Sequence, residues 1–360
     1  MKLLSRTLIA IVGMLLLAGA GAYLFKRQIG EAALQRAIAQ NVGVDRAAAL
    51  PDGLHVYLCG TGSPMPDPAR AGPCIGILAG ERAFVFDVGS GSVRVLGRMG
   101  FPMRKLERVY LTHLHSDHFD GLGELMLQAW VAGGRDAPLP IAGPPGVEEL
   151  VSGFNTAYRV DSSYRTAHHG AEIANPSGYG GVAEIIEAPT ENTRIVFQDD
   201  VLTIRAFTVS HAPVAPAFGY RIDYKDRSIA ISGDTAYSAN LASAAEGVDV
   251  LFHEALSMEV VRAMNVAAAQ RGEAATAQIM TDIQDYHASP LDAARAAQEA
   301  GARELILYHV IPPLPSPLLY DAYLGDAPRA FEGRMRVGED GMLITLPAGG
   351  DVISVSRAVR

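Results

Sequence analysis

The sequence predicts an α/β fold. Two patterns carry that expectation: from Leu54 onward short apolar strands are broken by Gly and Pro, and Ala-rich helical stretches stand between several of them. A third concerns function, because four strands run directly into histidine or aspartate. In chain order the predicted strands are 54–59, 74–79, 83–87, 108–112, 139–142, 182–187, 201–210, 217–224, 228–232, 248–252, 304–308 and 342–346. The predicted helices are 121–132, 147–158, 258–271 and 290–300. The last is the best marked, since Ser289 can cap it, Pro290 suits its first turn and Gly301 stops it.

The chain has 360 residues, 49% hydrophobic and 19% charged, with a net charge of -9. An apolar fraction this high excludes disorder, and the length suffices for a large core without disulfides or a structural metal. Two cysteines, Cys59 and Cys74, are too few for a disulfide scaffold or a structural zinc site. They read as two small buried residues, with a single bridge as the other reading. The acidic balance argues mildly against a general basic surface for nucleic acid.

Residues 7–25 carry no charge, follow Lys2 and Arg6, and precede Lys26 and Arg27. Such a run suits a membrane anchor or a signal peptide, with exit sites at Ala18-Gly19-Ala20 or Ala20-Gly21-Ala22. Bulky Tyr23, Leu24 and Phe25 continue the run and favour the anchor. The expected organisation is therefore an anchor or signal over 1–29, a helical stalk over 30–50, a catalytic domain over 51–350 and a tail over 351–360. The expected location is the inner membrane, the periplasm or the exterior.

The chemistry lies at the strand ends. Strand 108–112 runs into His113-Leu114-His115-Ser116-Asp117-His118, strand 201–210 into His211, strand 228–232 through Gly233 into Asp234, and strand 304–308 into His309. Side chains two apart in extended chain point the same way, so His113 and His115 can grip one ion. On the following turn Asp117 and His118 can reach a neighbouring one. Imidazole and carboxylate without thiolate suit catalytic zinc, although manganese or iron can occupy similar sites, and Asp234 can bridge two ions. Two ions about 3.5–4 Å apart would generate a bridging hydroxide, which is hydrolytic equipment.

These residues resemble the metallo-β-lactamase-fold hydrolases, within them the ribonuclease Z-like and arylsulfatase-like branch. The resemblance covers roughly 54–347 and rests on Leu58-Cys59-Gly60-Thr61-Gly62-Ser63, Phe86-Asp87-Val88-Gly89, Thr112 to His118 with Gly121, Ser210-His211, Ser232-Gly233-Asp234-Thr235 and His309. It implies an αββα sandwich of two mixed β-sheets flanked by helices. It also implies one zinc on His113, His115 and His211, a second on Asp117, His118 and His309, and Asp234 between them. Phe252-His253-Glu254-Ala255 looks like the family's His-Glu-Ala-Thr segment with Leu256 in place of threonine, and Tyr286-His287-Ala288-Ser289 resembles its later histidine segment. The resemblance makes Glu254 and His287 the couple that protonates the leaving oxygen, with Asp117 as a further catalytic residue. Asp87 is expected to orient a metal-binding histidine from behind rather than to bind metal, and His253 to be structural. His168 and His169 read as an exposed loop.

Three functions compete at this stage. The favoured one is an exported or anchored dizinc hydrolase of a small anionic ester, whether aryl sulfate, phosphodiester or lactone. The second is a ribonuclease Z-like endonuclease acting on tRNA 3′ ends. It is disfavoured by the N-terminal run and by the segment 133–200, which has four Lys/Arg (Arg135, Arg159, Arg165, Arg194) against ten Asp/Glu. Nucleic acid is accordingly not expected as a partner, the membrane is, and a homodimer is expected from the relatives. The third, a non-hydrolytic metal-binding member, is disfavoured because iron-binding redox relatives carry glutamate at the second histidine, where this chain has His115.

Overall fold

A computed structural model describes residues 2–358 of the chain. It separates into two compact units, one up to Ala48 and one from Ala49 onward. The first consists of α1 (Lys2–Leu24) and α2 (Lys26–Asn41). No residue of α2 is buried, because its Lys, Arg, Gln and Glu are spread around the helix with no apolar stripe.

The expected anchor is corrected here. Among the described residues no single helix is long and apolar enough to cross a membrane, and only Ala10–Leu24 taken with Lys26–Asn41, bent by 71° from it, meets the length and composition of a span. The charge-free run is readable in the sequence, but the bend at its end is not. Residues 1, 359 and 360, at the ends of the expected signal and tail, lie outside the described residues.

The second unit is a sandwich of two mixed sheets flanked by helices, as the resemblance implies. Its strands are β1 (Gly53–Gly60), β2 (Cys74–Ala79), β3 (Arg82–Phe86), β4 (Leu106–Tyr110), β5 (Leu139–Gly143), β6 (Gly181–Ile185), β7 (Arg194–Gln198), β8 (Leu202–Thr208), β9 (Phe218–Tyr224), β10 (Arg227–Ile231), β11 (Val250–Leu256), β12 (Glu304–Ile311), β13 (Arg334–Val337), β14 (Met342–Pro347) and β15 (Ser354–Arg357). One sheet has the order β15-β14-β1-β2-β3-β4-β5-β6 and the other β13-β12-β11-β10-β9-β8-β7. In each, an antiparallel half adjoins a parallel half: β3 to β6 are parallel in the first, and β10 to β13 in the second.

The strand pattern follows from burial. β11 and β12 are covered on both faces and read as continuous apolar runs, as parallel central strands do. Between the sheets lies the main core, with Phe84, Phe86, Tyr110, Tyr220, Phe252 and Tyr308 at its centre. A second core fills the space between the second sheet and α9 (Pro290–Glu299), where Ala293, Ala294, Ala296 and Ala297 allow close approach. Of the other helices, α3 (Ser92–Met99) packs on β1, α4 (Leu122–Val131) on β5, α5 (Val147–His169) on β5 and β6, and α6 (Ala239–Ala244) on β8. The helices α7 (Met258–Gln270) and α8 (Ala274–Asp282) pack mainly on each other, and α10 (Tyr320–Leu324) closes the set.

Two departures from the sequence reading have physical causes. Helix α5 runs eleven residues beyond the predicted end at Tyr158, so His168 and His169 sit in its last turn rather than in a loop. That extension is polar and exposed, and an Asp161–Arg165 pair supports it. The edge strands β7, β13 and β15 escape a search for apolar runs because their faces are partly wet, and β15 lies within the expected tail. A disulfide joins Cys59 to Cys74 and ties together the ends of the segment 60–73.

Candidate metal centre

All the chain's converging chemistry leaves one end of the two sheets, the usual place for a site in an α/β fold. Asp87 follows β3, His113 follows β4, His211 follows β8 and Asp234 follows β10, while Glu254 and His309 lie within β11 and β12. The turns there are tight. A Cβ on Gly89 would sit 2.3 Å from the Gly72 carbonyl carbon and 2.4 Å from the Asp117 oxygen, so only glycine lets these segments meet. Asp87 and His309 both hold positive φ, at 54° and 45°, a conformation that costs a non-glycine residue and is found where surrounding structure imposes it.

The expected metal residues come together. His113, His115, His211 and Asp234 place one donor atom each within 4.8 Å of one another, and so do Asp117, His118 and His309. Asp234 lies between these groups, its Oδ2 3.3 Å from Nε2 of both His118 and His309, 3.8 Å from His113 and 3.9 Å from His211. Asp87 stands behind His118, with Oδ2 2.8 Å from Nδ1, and is itself held by the backbone N–H and hydroxyl of Thr112. His211 donates from Nδ1 to the Tyr286 carbonyl at 2.9 Å, which turns Nε2 toward the cluster.

The donor set fits a divalent metal. Nε2 of His118 and Oδ1 of Asp234 are buried without a hydrogen-bond partner, and His113 and His115 present ring nitrogens to each other at 3.0 Å. Buried polar atoms left this way are costly, and a cation converts them into ligands. Burial holds the His113 imidazole well below its ordinary value, and it also lowers His115 and His211, which keeps them neutral as ligands must be. Burial opposes charge on His118 as well, but the carboxylates of Asp234, Asp87 and Asp117 raise it well above the usual range. Burial would raise Asp234, yet His309 and His118 hold it well below the ordinary carboxylate value.

Glu254 and His287 form a buried pair rather than a solvent-exposed one. Glu254 Oε1 accepts from His287 Nδ1 at 2.8 Å, from the Thr235 N–H at 3.1 Å and from the Ala288 N–H at 3.2 Å. Burial would lower His287, but the Glu254 carboxylate lifts it to about 9. A donor nitrogen of His287 comes within 4.8 Å of Asp234 and His309, so the pair faces the cluster. His253 is fully buried beside it, with Nδ1 against the Glu254 carbonyl at 2.7 Å.

Several residues here have no role assigned in the sequence reading. Thr235 accepts from the Ser210 N–H through its hydroxyl while its own N–H holds Glu254, so it joins the His211, Asp234 and Glu254 segments. The Tyr308 hydroxyl accepts from the Gly233 N–H at 3.1 Å, and Ser232 accepts from the Glu254 N–H while donating to the Gly233 carbonyl. Their adjacency to Asp234 and His309 is the only signal in the sequence. A cavity of about 550 Å³ opens beside Asp117, lined among others by Ser63, Met65, Asp67, Arg70 and Asp120. The wall carrying Arg70 is held by Asp340, which accepts from the Thr61 and Ala71 N–H groups.

Comparison with known proteins agrees with this architecture. Residues 84–310 match the family model described as Beta-lactamase superfamily domain, a stretch that contains every residue of the centre and the Glu254–His287 pair. The Ribonuclease Z of Mycobacterium avium (strain 104) is 36% identical over 289 residues, covering 80% of this chain and 96% of the relative. Among solved structures, the metallo-beta-lactamase fold protein YhfI from Bacillus subtilis aligns with a TM-score of 0.58 at 20% identity, over 82% of this chain and 100% of that one. Human tRNase Z, short form, aligns with a TM-score of 0.55 at 22% identity, over 81% and 99%.

These findings correct three expectations. Relatives named Ribonuclease Z over nearly their full length run against an exported hydrolase of small anionic esters as the favoured function, against the exclusion of nucleic acid as a partner, and against a location in the inner membrane, the periplasm or the exterior. The charge count over 133–200 misled because it weighs net charge along one segment. A phosphodiester seated on a metal centre takes its countercharge from that centre.

Proposed function

Because the chain belongs to the beta-lactamase superfamily, as a ribonuclease Z-like metal-dependent hydrolase, we propose that it is an endonuclease that cuts the phosphodiester backbone at the 3′ end of tRNA precursors. The observation that carries this reading is the 36% identity with a Ribonuclease Z across 96% of that relative's length. The paired His/Asp groups beside a buried Glu254–His287 couple are the equipment such a cut requires.

In this reading His113, His115, His211 and Asp234 would hold one ion, zinc in the first instance, and Asp117, His118 and His309, with Asp234 nearby, would hold a second. Bound divalent ions supply Lewis acidity toward a phosphoryl oxygen and lower the pKa of a water molecule. The protein does the rest. Asp87 fixes His118 from behind and the Tyr286 carbonyl fixes His211, so each ring presents a chosen nitrogen. Glu254 takes the Nδ1–H of His287 and keeps the imidazole protonated at neutral pH. The opposite ring N–H is then available to protonate the leaving oxygen.

The test is a transcribed tRNA carrying a 3′ extension, incubated with purified protein that is metal-replete or treated with chelator. One cut at the 3′ side of the acceptor stem, abolished by chelator and restored by zinc or manganese, is the expected result. Intact RNA after incubation with protein shown to carry two ions per chain would refute the proposal.

A further inference from the structure

Among the described residues Tyr286 is the one aromatic side chain, other than a histidine, with ring contacts to the histidines of the site. Its ring lies 5.2 Å from that of His211 and 5.0 Å from that of His287. Its backbone cannot drift, since its carbonyl accepts from His211 and the next residue is held by Glu254. Yet the ring is only partly buried.

Several other tyrosines have their hydroxyls held in place. Tyr220 donates to the Leu111 carbonyl, Tyr323 to the Ala255 carbonyl, Tyr320 to Glu339 and Tyr237 to Glu299. Among the described residues the Tyr286 hydroxyl has no such partner. Tyr286, Met65, Met258 and Met264 all pack, partly buried, on one apolar cluster of Leu256, Val261, Met280, Ile283 and Ile311. Met65 also lines the cavity next to Asp117, so this soft apolar wall continues from the metal centre into that cavity.

Phosphate belongs at the metals, and an apolar wall of tyrosine and methionine side chains offers it nothing. What such a wall can take is the flat face of a base. Resting on the endonuclease reading, we propose that Tyr286, which shares its apolar cluster with Met65 and Met258, is a stacking subsite for the nucleobase next to the scissile phosphate. Every base has a π face, so the subsite tolerates all four, and loss of an aromatic platform typically weakens binding roughly tenfold.

The test compares wild type, Tyr286→Phe and Tyr286→Ala, each metal-replete, on the extended tRNA with either a normal or an abasic nucleotide next to the cut. A short single-stranded RNA with 2-aminopurine at that position reports stacking as fluorescence quenching. For Tyr286→Ala the expected result is a KM raised about tenfold on the normal RNA, kcat within twofold, no difference from wild type on the abasic RNA, and loss of quenching. Tyr286→Phe should behave as wild type. Equal KM for wild type and Tyr286→Ala on the normal RNA overturns the subsite, and so does an equal defect on both RNAs, which would mark a packing role. Should the wild type cut neither RNA, the endonuclease reading falls; Tyr286-dependent quenching would then still support the subsite, and its absence would overturn it.

Discussion

Glu254 spends one carboxylate oxygen on three donors, and the protonation of His287 depends on that grip. The sign of the resulting pH dependence is fixed. His287 has a folded value raised to about 9 from 6.5, so the stability it contributes is complete below 6.5 and is lost as pH rises through about 9. Turnover that needs the protonated ring falls over the same alkaline range. Glu254→Gln leaves a neutral partner, so the alkaline limb of kcat should move to lower pH and kcat at pH 7 should drop roughly a hundredfold, within the span for a general acid. An unchanged limb in the pH profile of that variant would separate His287 from the proton transfer. The residues of this site that spacing reveals are those within one local segment. His113 to His118 is legible because alternation along extended chain and the next turn brings its members to one place. Thr235, Tyr308 and Tyr286 are not legible, since each acts through a neighbour far away in sequence, as when Tyr308 on β12 reaches Gly233 beyond β10.

Helix α9 shows what an element can carry toward the site. Ser289 accepts from the Asp292 N–H, and Asp292 Oδ2 takes the Ser289 N–H and hydroxyl, a complete capping box two residues after His287. The helix packs on β11 and β12, the strands that hold Glu254 and His309. Ser289→Ala should cost about 1 kcal/mol in urea unfolding. Turnover at a permissive temperature should change less than threefold, because Glu254 still holds the Ala288 N–H and His287. A loss of activity far beyond the loss of stability would give the cap a direct part in placing His287. This helix was legible because Ser, Pro and Gly punctuate it at the right positions. By contrast α5 was legible only up to Tyr158, where apolar periodicity stops although helical hydrogen bonding continues, and β7 and β13 carry too little continuous apolar sequence to be separated from loops.

Across the whole catalytic unit, the candidate metal centre spans two sheets that also meet through an apolar core and hydrogen bonds such as Tyr220 to the Leu111 carbonyl. His113, His115, Asp117 and His118 leave the first sheet, while His211, Asp234 and His309 leave the second. Ions shared between them act as a cross-link that the unfolded chain lacks, so bound metal is folding stability as well as chemistry. At a free metal concentration one hundred times the dissociation constant, a single site adds about 2.7 kcal/mol. For a unit of this size that corresponds to a Tm shift of roughly four degrees per site. Chelation of the wild type should therefore lower Tm by several degrees, and restored zinc should raise it again. Asp234→Asn removes the carboxylate that both groups share, so its Tm should respond little to chelator or zinc and its metal content should fall. A wild type whose calorimetric Tm ignores both treatments would mean that the two sheets are held together at this end by the protein alone.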